Sequence, residues 1–309
     1  MTEIGTPRNP YTAWVGVADQ LADETYVYSL AVFNNNLYGG TQPGGRLFEW
    51  NGVDAWVEVA GLLNAQTFIR ALAVFNNKLY GATYPGGRLF EWNGVDAWVQ
   101  VAGQLNGQTL ILSLAVLANK LYGGTGPGGR LFEWNGVDAW VEVAGQLNGQ
   151  AYIMALEAFN DKLYAGTYAG GRLFEWNGVD TWVEVAGQLN AQTFALSMAV
   201  FKNKLYAGTN PGGRLFEWNG VDAWVEVAGQ LLGQTYIHSL MMFNNKLYGG
   251  TAEGGRLFEW NGVDAWVGVA EQLAAQTYIN ALAVFNNKFY AGTNPGGRLF
   301  IFCSCTGVF

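Results

Sequence analysis

The chain repeats a unit of 42 residues almost verbatim, and this repetition limits its possible folds more than any other feature. The tripeptide Gly-Gly-Arg occurs seven times, and its arginines are spaced 42 residues apart throughout. A fixed period of this length indicates repeated structural units, so 309 residues need not form two domains. The seven arginines are Arg46, Arg88, Arg130, Arg172, Arg214, Arg256 and Arg298.

Each unit contains four segments with the residue pattern of short β-strands. Asn-Asn between the first two segments, and Asn-Gly between the last two, suit the positive φ angles of tight hairpin turns. The many glycines and the β-branched and aromatic segments disfavour helices. In the unit that begins at Thr67, we predict strand A at Ile69–Phe75, strand B at Lys78–Thr83, strand C at Arg88–Trp92 and strand D at Ala97–Ala102.

Four antiparallel strands in a unit of about 40 residues are typical of a β-propeller blade, and a linear β-solenoid is the alternative. The two ends of the chain favour the propeller. Ala13–Ala18 matches strand D at Ala55–Ala60, whereas the last unit stops after strand C at Leu299–Phe302. Pairing these ends would complete a seventh blade and remove the open sheet edges.

We therefore predict an all-β fold: a seven-bladed β-propeller with four antiparallel strands per blade and a Velcro closure by the N-terminal strand. The whole chain, 1–309, is expected to form this one domain. The expected blades span about 25–60, 67–102, 109–144, 151–186, 193–228, 235–270, and 277–302 together with 13–18.

Composition and charge exclude several classes of function. The formal net charge is −8, so the chain lacks the basic surface that nucleic acid binding requires. No segment approaches the roughly 18 apolar residues that a membrane span needs, and the first residues lack the apolar stretch of a signal peptide. We expect a monomer that is cytoplasmic or is released without a signal peptide.

The repeat resembles those of two propeller families. Lys-Leu-Tyr, then Gly or Ala, then Gly-Thr, followed by an aromatic strand and by Trp56 or its equivalents, resembles the kelch pattern of galactose-oxidase-like propellers. The stretch from Asn160 to Thr167, Asn-Asp-Lys-Leu-Tyr-Ala-Gly-Thr, is similar to the repeat of the tachylectin family. The second resemblance implies a propeller lectin with a sugar site in each repeat.

The residues for catalysis are scarce. An active site needs unlike groups that converge on one point, whereas a near-perfect repeat supplies the same groups seven times around a ring. His238 is the only histidine, and Cys303 and Cys305 are the only cysteines. Copper chemistry and a zinc site built on histidines are therefore not expected. We predict a chain that is not an enzyme and that uses no cofactor or metal.

Binding is the better prospect, on the rim where the B–C loops meet the D–A connections. Each seven-fold arginine opens strand C at this rim, close to a Gln-Thr pair that leads into the next blade. Planar donors and amides beside aromatic rings suit sugar hydroxyls and ring faces. The candidate ligand-binding residues are the seven arginines named above with Gln66, Gln108, Gln150, Gln192, Gln234 and Gln276.

Each repeated residue also has a purely structural interpretation. The arginines could bond loop carbonyls, and Trp50 and Trp56 with their equivalents could pack blade against blade. The Asp54 and Lys78 series lie on the opposite rim, where solvated ion pairs are expected.

Two functions remain as hypotheses. The first is a multivalent, non-catalytic, carbohydrate-binding propeller with repeated interblade sites, whose partners are glycans. The second is a protein-interaction or purely structural ring, recently amplified or engineered, with no small-molecule ligand. The residue after each Thr-Tyr-Ile-like entry varies and includes Tyr28, Arg70 and His238. This variation near the axis favours sites repeated between blades.

Overall fold

The computed structural model describes residues 12–304, except 22, 64, 106, 190, 232, 271 and 274. The described residues form seven four-stranded antiparallel sheets, one for each unit. The innermost strand of every sheet contacts the innermost strand of the next, and the last contacts the first. The chain is thus an all-β, seven-bladed propeller, as its repeat predicts.

The predicted strands agree with the observed ones to within one or two residues. Described residues outside the strands are turns, bends and extended connections, without a helix. The strands, in chain order, are β1 (Thr12–Ala18), β2 (Tyr26–Phe33), β3 (Asn36–Gln42), β4 (Leu47–Trp50), β5 (Trp56–Ala60), β6 (Phe68–Phe75), β7 (Lys78–Tyr84), β8 (Leu89–Trp92), β9 (Trp98–Ala102), β10 (Leu110–Leu117), β11 (Lys120–Gly126), β12 (Leu131–Trp134), β13 (Trp140–Ala144), β14 (Ile153–Phe159), β15 (Lys162–Thr167), β16 (Leu173–Trp176), β17 (Trp182–Ala186), β18 (Phe194–Phe201), β19 (Lys204–Asn210), β20 (Leu215–Trp218), β21 (Trp224–Ala228), β22 (Ile237–Phe243), β23 (Lys246–Thr251), β24 (Leu257–Trp260), β25 (Trp266–Ala270), β26 (Tyr278–Phe285), β27 (Lys288–Asn294) and β28 (Leu299–Ser304).

The ring closes through the pairing that the chain ends suggested. Strand β1 runs antiparallel to β28, with Val15 opposite Ile301 and Trp14 opposite Phe302. The seventh sheet is therefore ordered β1-β28-β27-β26, and its outer strand comes from the other end of the chain. Closure of this kind leaves no sheet in the ring without its fourth strand.

Two turns fix the hairpins of each blade. Asn76 and Asn77, between strands A and B, have φ values of 46° and 56°, which asparagine tolerates better than most residues. Between strands C and D, the side-chain oxygen of Asn93 accepts hydrogen bonds from the N–H groups of Val95, Asp96 and Ala97. This side chain replaces backbone acceptors and ends strand C at a defined residue.

The core lies between neighbouring blades. Trp92 of the second blade packs on Tyr38 of the first, with ring centroids 5.0 Å apart, and meets Phe33 edge-on at 6.2 Å. The same contact recurs around the ring, so the Trp50 series packs blade against blade. A side chain at Gly40 would lie 2.6 Å from Ile69 of the next blade, which explains a glycine at this close approach.

Candidate functional site

The glutamines of the predicted site are buried in the rim. Gln66 is 5% exposed, and its Oε1 accepts a hydrogen bond of 2.5 Å from the hydroxyl of Thr83. Its Nε2 donates to the carbonyl of Ala65 at 3.0 Å. These bonds tie the D–A connection to strand B and leave little of the amide for a ligand. The same threonine bond is made by Gln108, Gln192, Gln234 and Gln276.

Two blades vary this arrangement. Gln150 is buried and donates its Nε2 to the carbonyl of Ala169 at 3.2 Å. In the first unit the position is occupied by Glu24, which is 1% exposed and accepts from the N–H of Gly44. Burial raises the pKa of Glu24, and the bond from Gly44 opposes that rise, as does the nearby charge of Arg46. In every blade the residue at this position therefore forms hydrogen bonds that stabilise the connections of the rim.

The repeated arginines lie at the outer edge of the same rim and are partly exposed. Their guanidinium groups pair across strands C and D with a glutamate, rather than with the loop carbonyls that a structural interpretation suggested. Arg130 Nη1 lies 2.6 Å from Glu142 Oε1, with the two side chains 38% and 39% exposed. Matching pairs join Arg46 to Glu58, Arg172 to Glu184 and Arg214 to Glu226, and Arg88 bonds Gln100 instead.

The last two blades depart from this pairing. Gly268 and Gly16 stand where the other blades carry the glutamate or Gln100. Among the described residues, no carboxylate lies within 4.0 Å of the Arg256 or Arg298 guanidinium groups. Three positions further along, Glu271 and Asp19 replace glycine. Asp19 is exposed, and Glu271 lies outside the described residues.

Grooves lie between successive blades, and in one of them a repeated arginine lies beside an indole. In the groove between the fifth and sixth blades, Gln230 of one D–A connection faces Phe258 and Trp266 of the next blade, with Arg256 beside them. The cavity volume is about 520 Å³. The equivalent groove between the fourth and fifth blades holds about 290 Å³ and is lined by Glu226 at the position of Gly268.

The glutamine in this groove is not the one that sequence reasoning selected. Gln230 lies four residues before Gln234, in the same connection. Both are polar residues in a loop, and nothing in the residue pattern separates the one that faces solvent from the one that bonds Thr251. The groove series comprises Gln104, Gln146, Gln188, Gln230, Gln272 and, in the closing blade, Gln20.

The opposite rim is occupied by internal bonds. Lys78 Nζ lies 2.8 Å from Glu91 Oε1, and equivalent pairs recur in other blades. Asp54 accepts from the amide of Asn51 at 3.1 Å within the C–D turn. The Lys78 series thus forms ion pairs as expected, whereas Asp54 belongs to a turn.

The residues suited to catalysis do not meet one another. His238 packs edge-on against Tyr278 at 5.6 Å, and burial, with the charge of Arg70, lowers its pKa to about 3. The imidazole is therefore neutral at physiological pH. Cys303 is a free thiol on β28, and Cys305 lies outside the described residues. The described part of the chain contains no cluster of three potential metal ligands.

Comparisons with known proteins define the fold. The chain resembles the WD40 β-propeller domain of Doa1 (14% identity, 96% of this chain and 98% of that one, TM-score 0.70). It resembles a catalytically inactive virginiamycin B lyase from Staphylococcus aureus solved with quinupristin (8% identity, 94% and 99%, TM-score 0.79). It also resembles YCF48 bound to D1 peptide (14% identity, 96% and 99%, TM-score 0.73).

These likenesses establish the class of protein, a seven-bladed β-propeller, and at such low identity they establish only the fold. No family model matches the chain. No curated protein matches it either. The resemblance to tachylectin-type and kelch-like repeats thus stays a prediction. In the described residues there is no helix that is long and apolar enough to cross a membrane.

Proposed function

We propose that this chain is a non-catalytic, multivalent binding protein that holds sugars in the grooves between its blades. The observation that carries the proposal is the lining of the groove, where an indole, a phenylalanine edge, an amide and a guanidinium share one cavity. The equivalent groove between the fourth and fifth blades shares the indole, the phenylalanine and the amide, and it is lined by Glu226 in place of an arginine. Because the unit repeats, grooves of similar composition are expected between other blades.

The chemistry of the groove suits a sugar. The C–H face of a pyranose can stack on the partly exposed ring of Trp266, while Arg256 and Gln230 donate hydrogen bonds to its hydroxyls. In the smaller groove Glu226 supplies acceptors as well. Single sites of this open kind bind weakly, and several on one chain could raise the avidity by about 10²–10⁴-fold.

A binding role fits the groove better than catalysis. General acid–base chemistry requires two groups whose environments separate their pKa values. The groove residue Glu226 is instead partly exposed and paired with Arg214, and the groove residue Asp264 accepts a hydrogen bond from Asn261 within its own C–D turn. His238 lies on an innermost strand and lines neither of the two interblade grooves described above.

The test is a glycan array followed by calorimetry with a monovalent sugar that the array identifies. We expect several equivalent sites per chain. Gln230→Ala and Gln188→Ala should each remove about one site, and the double variant about two. Lys246→Ala, on the opposite rim, is the matched control and should leave the stoichiometry unchanged. A stoichiometry near one, or an array without any bound glycan, would contradict the proposal.

A protein-interaction ring is the second candidate, and exposed valines favour it. Val53 on the first C–D turn is 74% exposed, and the equivalent valines of the next five units are 72–75% exposed. A ring of apolar side chains on one rim is a surface that a protein partner could cover. Replacing these six valines with serine should abolish capture of such a partner and leave groove binding intact, so the two functions can be separated.

A further inference from the structure

The channel along the propeller axis contains one cation. Its wall is a repeated set of small and apolar side chains from the innermost strands, such as Ser29 and Leu72, and borders an open space of about 260 Å³. Arg70 projects into this wall from β6. Among the described lining residues it is the only charged one, because the other blades carry Tyr, Leu, Met, His or Asn at its position.

A β-bulge explains why this position is free to carry an arginine. Ile69 pairs with Thr83 and Ala71 pairs with Ala82, so Arg70 has no partner across the hairpin. A bulged residue is aimed away from the regular faces of the sheet. The bulge recurs in every blade, and in each it coincides with the variable position near the axis.

The guanidinium of Arg70 is placed to receive an anion. Its Cζ lies 4.8 Å from the ring centroid of Tyr28, which itself stacks on Tyr26 at 5.0 Å. A guanidinium held against a ring keeps its N–H edge for a planar, bidentate acceptor. Within the described residues, the Arg70 guanidinium has no hydrogen-bond acceptor and no carboxylate within 4.0 Å.

The groups that face Arg70 cannot neutralise it. Tyr28 is a phenol, and burial raises its pKa further. His238 is neutral at physiological pH, because burial and the charge of Arg70 lower its pKa to about 3. Burial also lowers the pKa of Arg70 itself, as expected for a desolvated cation without a counter-charge. A ligand that supplies one negative charge would offset part of this cost.

We propose that this channel mouth is a binding site for one small carboxylic acid whose carboxylate is chelated by Arg70. Aromatic rings lie in a row beside Arg70: Tyr28 contacts its guanidinium, Phe68 lies 5.8 Å from Tyr28, and Tyr84 lies 5.2 Å from Phe68. These aromatic side chains therefore suit a ligand that contains a ring, either an aromatic acid or a sugar acid. A net charge of −8 opposes a polyanion and leaves a single carboxylate as the better match.

The experiment pairs each acid with a neutral analogue. Benzoate is compared with benzyl alcohol, and glucuronate with glucose, by calorimetry and thermal unfolding of the full chain. We expect one site per chain for at least one of the two acids and no binding of its neutral analogue. The acid that binds distinguishes an aromatic from a sugar ligand.

Arg70→Leu is the decisive variant because Leu112 and Leu196 occupy the same position in other blades, so folding should survive. It should abolish binding and the rise in Tm, while Arg70→Lys should weaken binding by about tenfold, since lysine cannot chelate in plane. Lys120→Leu on the opposite rim is the control and should change nothing.

Equal binding by Arg70→Leu, equal binding of the neutral analogues, or no binding of either acid would overturn the proposal. The axial site contains no residue of the interblade grooves. The absence of carboxylate binding at the axis would therefore not contradict the proposed binding of sugars in the grooves. Several equivalent sites for glucuronate that survive in Arg70→Leu would place the acid in the interblade grooves, not at the axis.

Discussion

Glu157 should make the stability of this propeller depend on pH. It lies on the innermost strand of the fourth blade, where five other blades carry alanine and the sixth blade has Met241. No described residue forms an ion pair with it, and burial raises its pKa from an ordinary 4.5 to about 7. The folded chain therefore retains a proton that the unfolded chain has already lost.

The direction of the effect follows from this difference. Between pH 4.5 and about 7 unfolding releases a proton from Glu157, so raising the pH favours the unfolded state. The free energy of unfolding should fall across this window by up to about 3 kcal/mol, at about 1.4 kcal/mol per pH unit. Above pH 7 the folded state contains an ionised carboxylate in a poorly solvated site.

Glu157→Ala introduces the alanine that five other blades carry, and Glu157→Gln keeps the shape of the side chain. Neither replacement side chain titrates. At pH 8 both variants should be more stable than the parent chain, by up to about 3 kcal/mol, and at pH 4.5 the advantage should vanish. Urea unfolding at a series of pH values measures this directly. Glu253→Gln, on an exposed loop, is the control. Equal pH slopes for the parent and both variants would refute the reasoning.

Three further predictions concern closure, packing and metals. Deleting residues 1–18 removes β1 and exposes β28, so cooperative folding should be lost or the chain should aggregate; a monomer with an unchanged Tm would contradict the closure. Trp92→Ala removes the ring that packs on Tyr38 and should lower the free energy of unfolding by about 3–5 kcal/mol, measured by urea denaturation; a loss below about 1 kcal/mol would show that the blades repack. Replacing His238 by Asn and both cysteines by Ser should leave the Tm and groove binding unchanged, and elemental analysis should find the same metal content in this variant as in the parent chain. A metal that the parent binds and the variant lacks would support a catalytic function.

The fold could be predicted because the repeat supplies the same local signals seven times. Asn76 and Asn77 fix one turn and Asn93 fixes another, so the strand ends agree closely with expectation. The offset match between Ala13–Ala18 and Ala55–Ala60 predicted the closure, since only a ring gives both ends a partner.

The site was predicted less well, for reasons of register and loop geometry. Arg130 and Glu142 are twelve residues apart, and a bulge between Leu131 and Phe132 shifts the register of strands C and D. Counting alternate residues along the strands therefore does not reveal that the two charges meet. Similarly, the burial of Gln66 depends on the position of the Thr83 hydroxyl across a connection, which no local pattern encodes.

The bulge on strand A explains how a symmetric chain can carry a unique site. Side chains on strands B and C, such as Tyr80 and Phe90, pack against neighbours on every side, so a change in one blade must be matched in the next. The bulged residue has no cross-strand partner, and in the second and fourth blades, as Arg70 and Met154, it lines the axial channel. A change there has little effect on the core. Repeated grooves and a single axial cation can thus coexist because they lie on strands with different packing constraints.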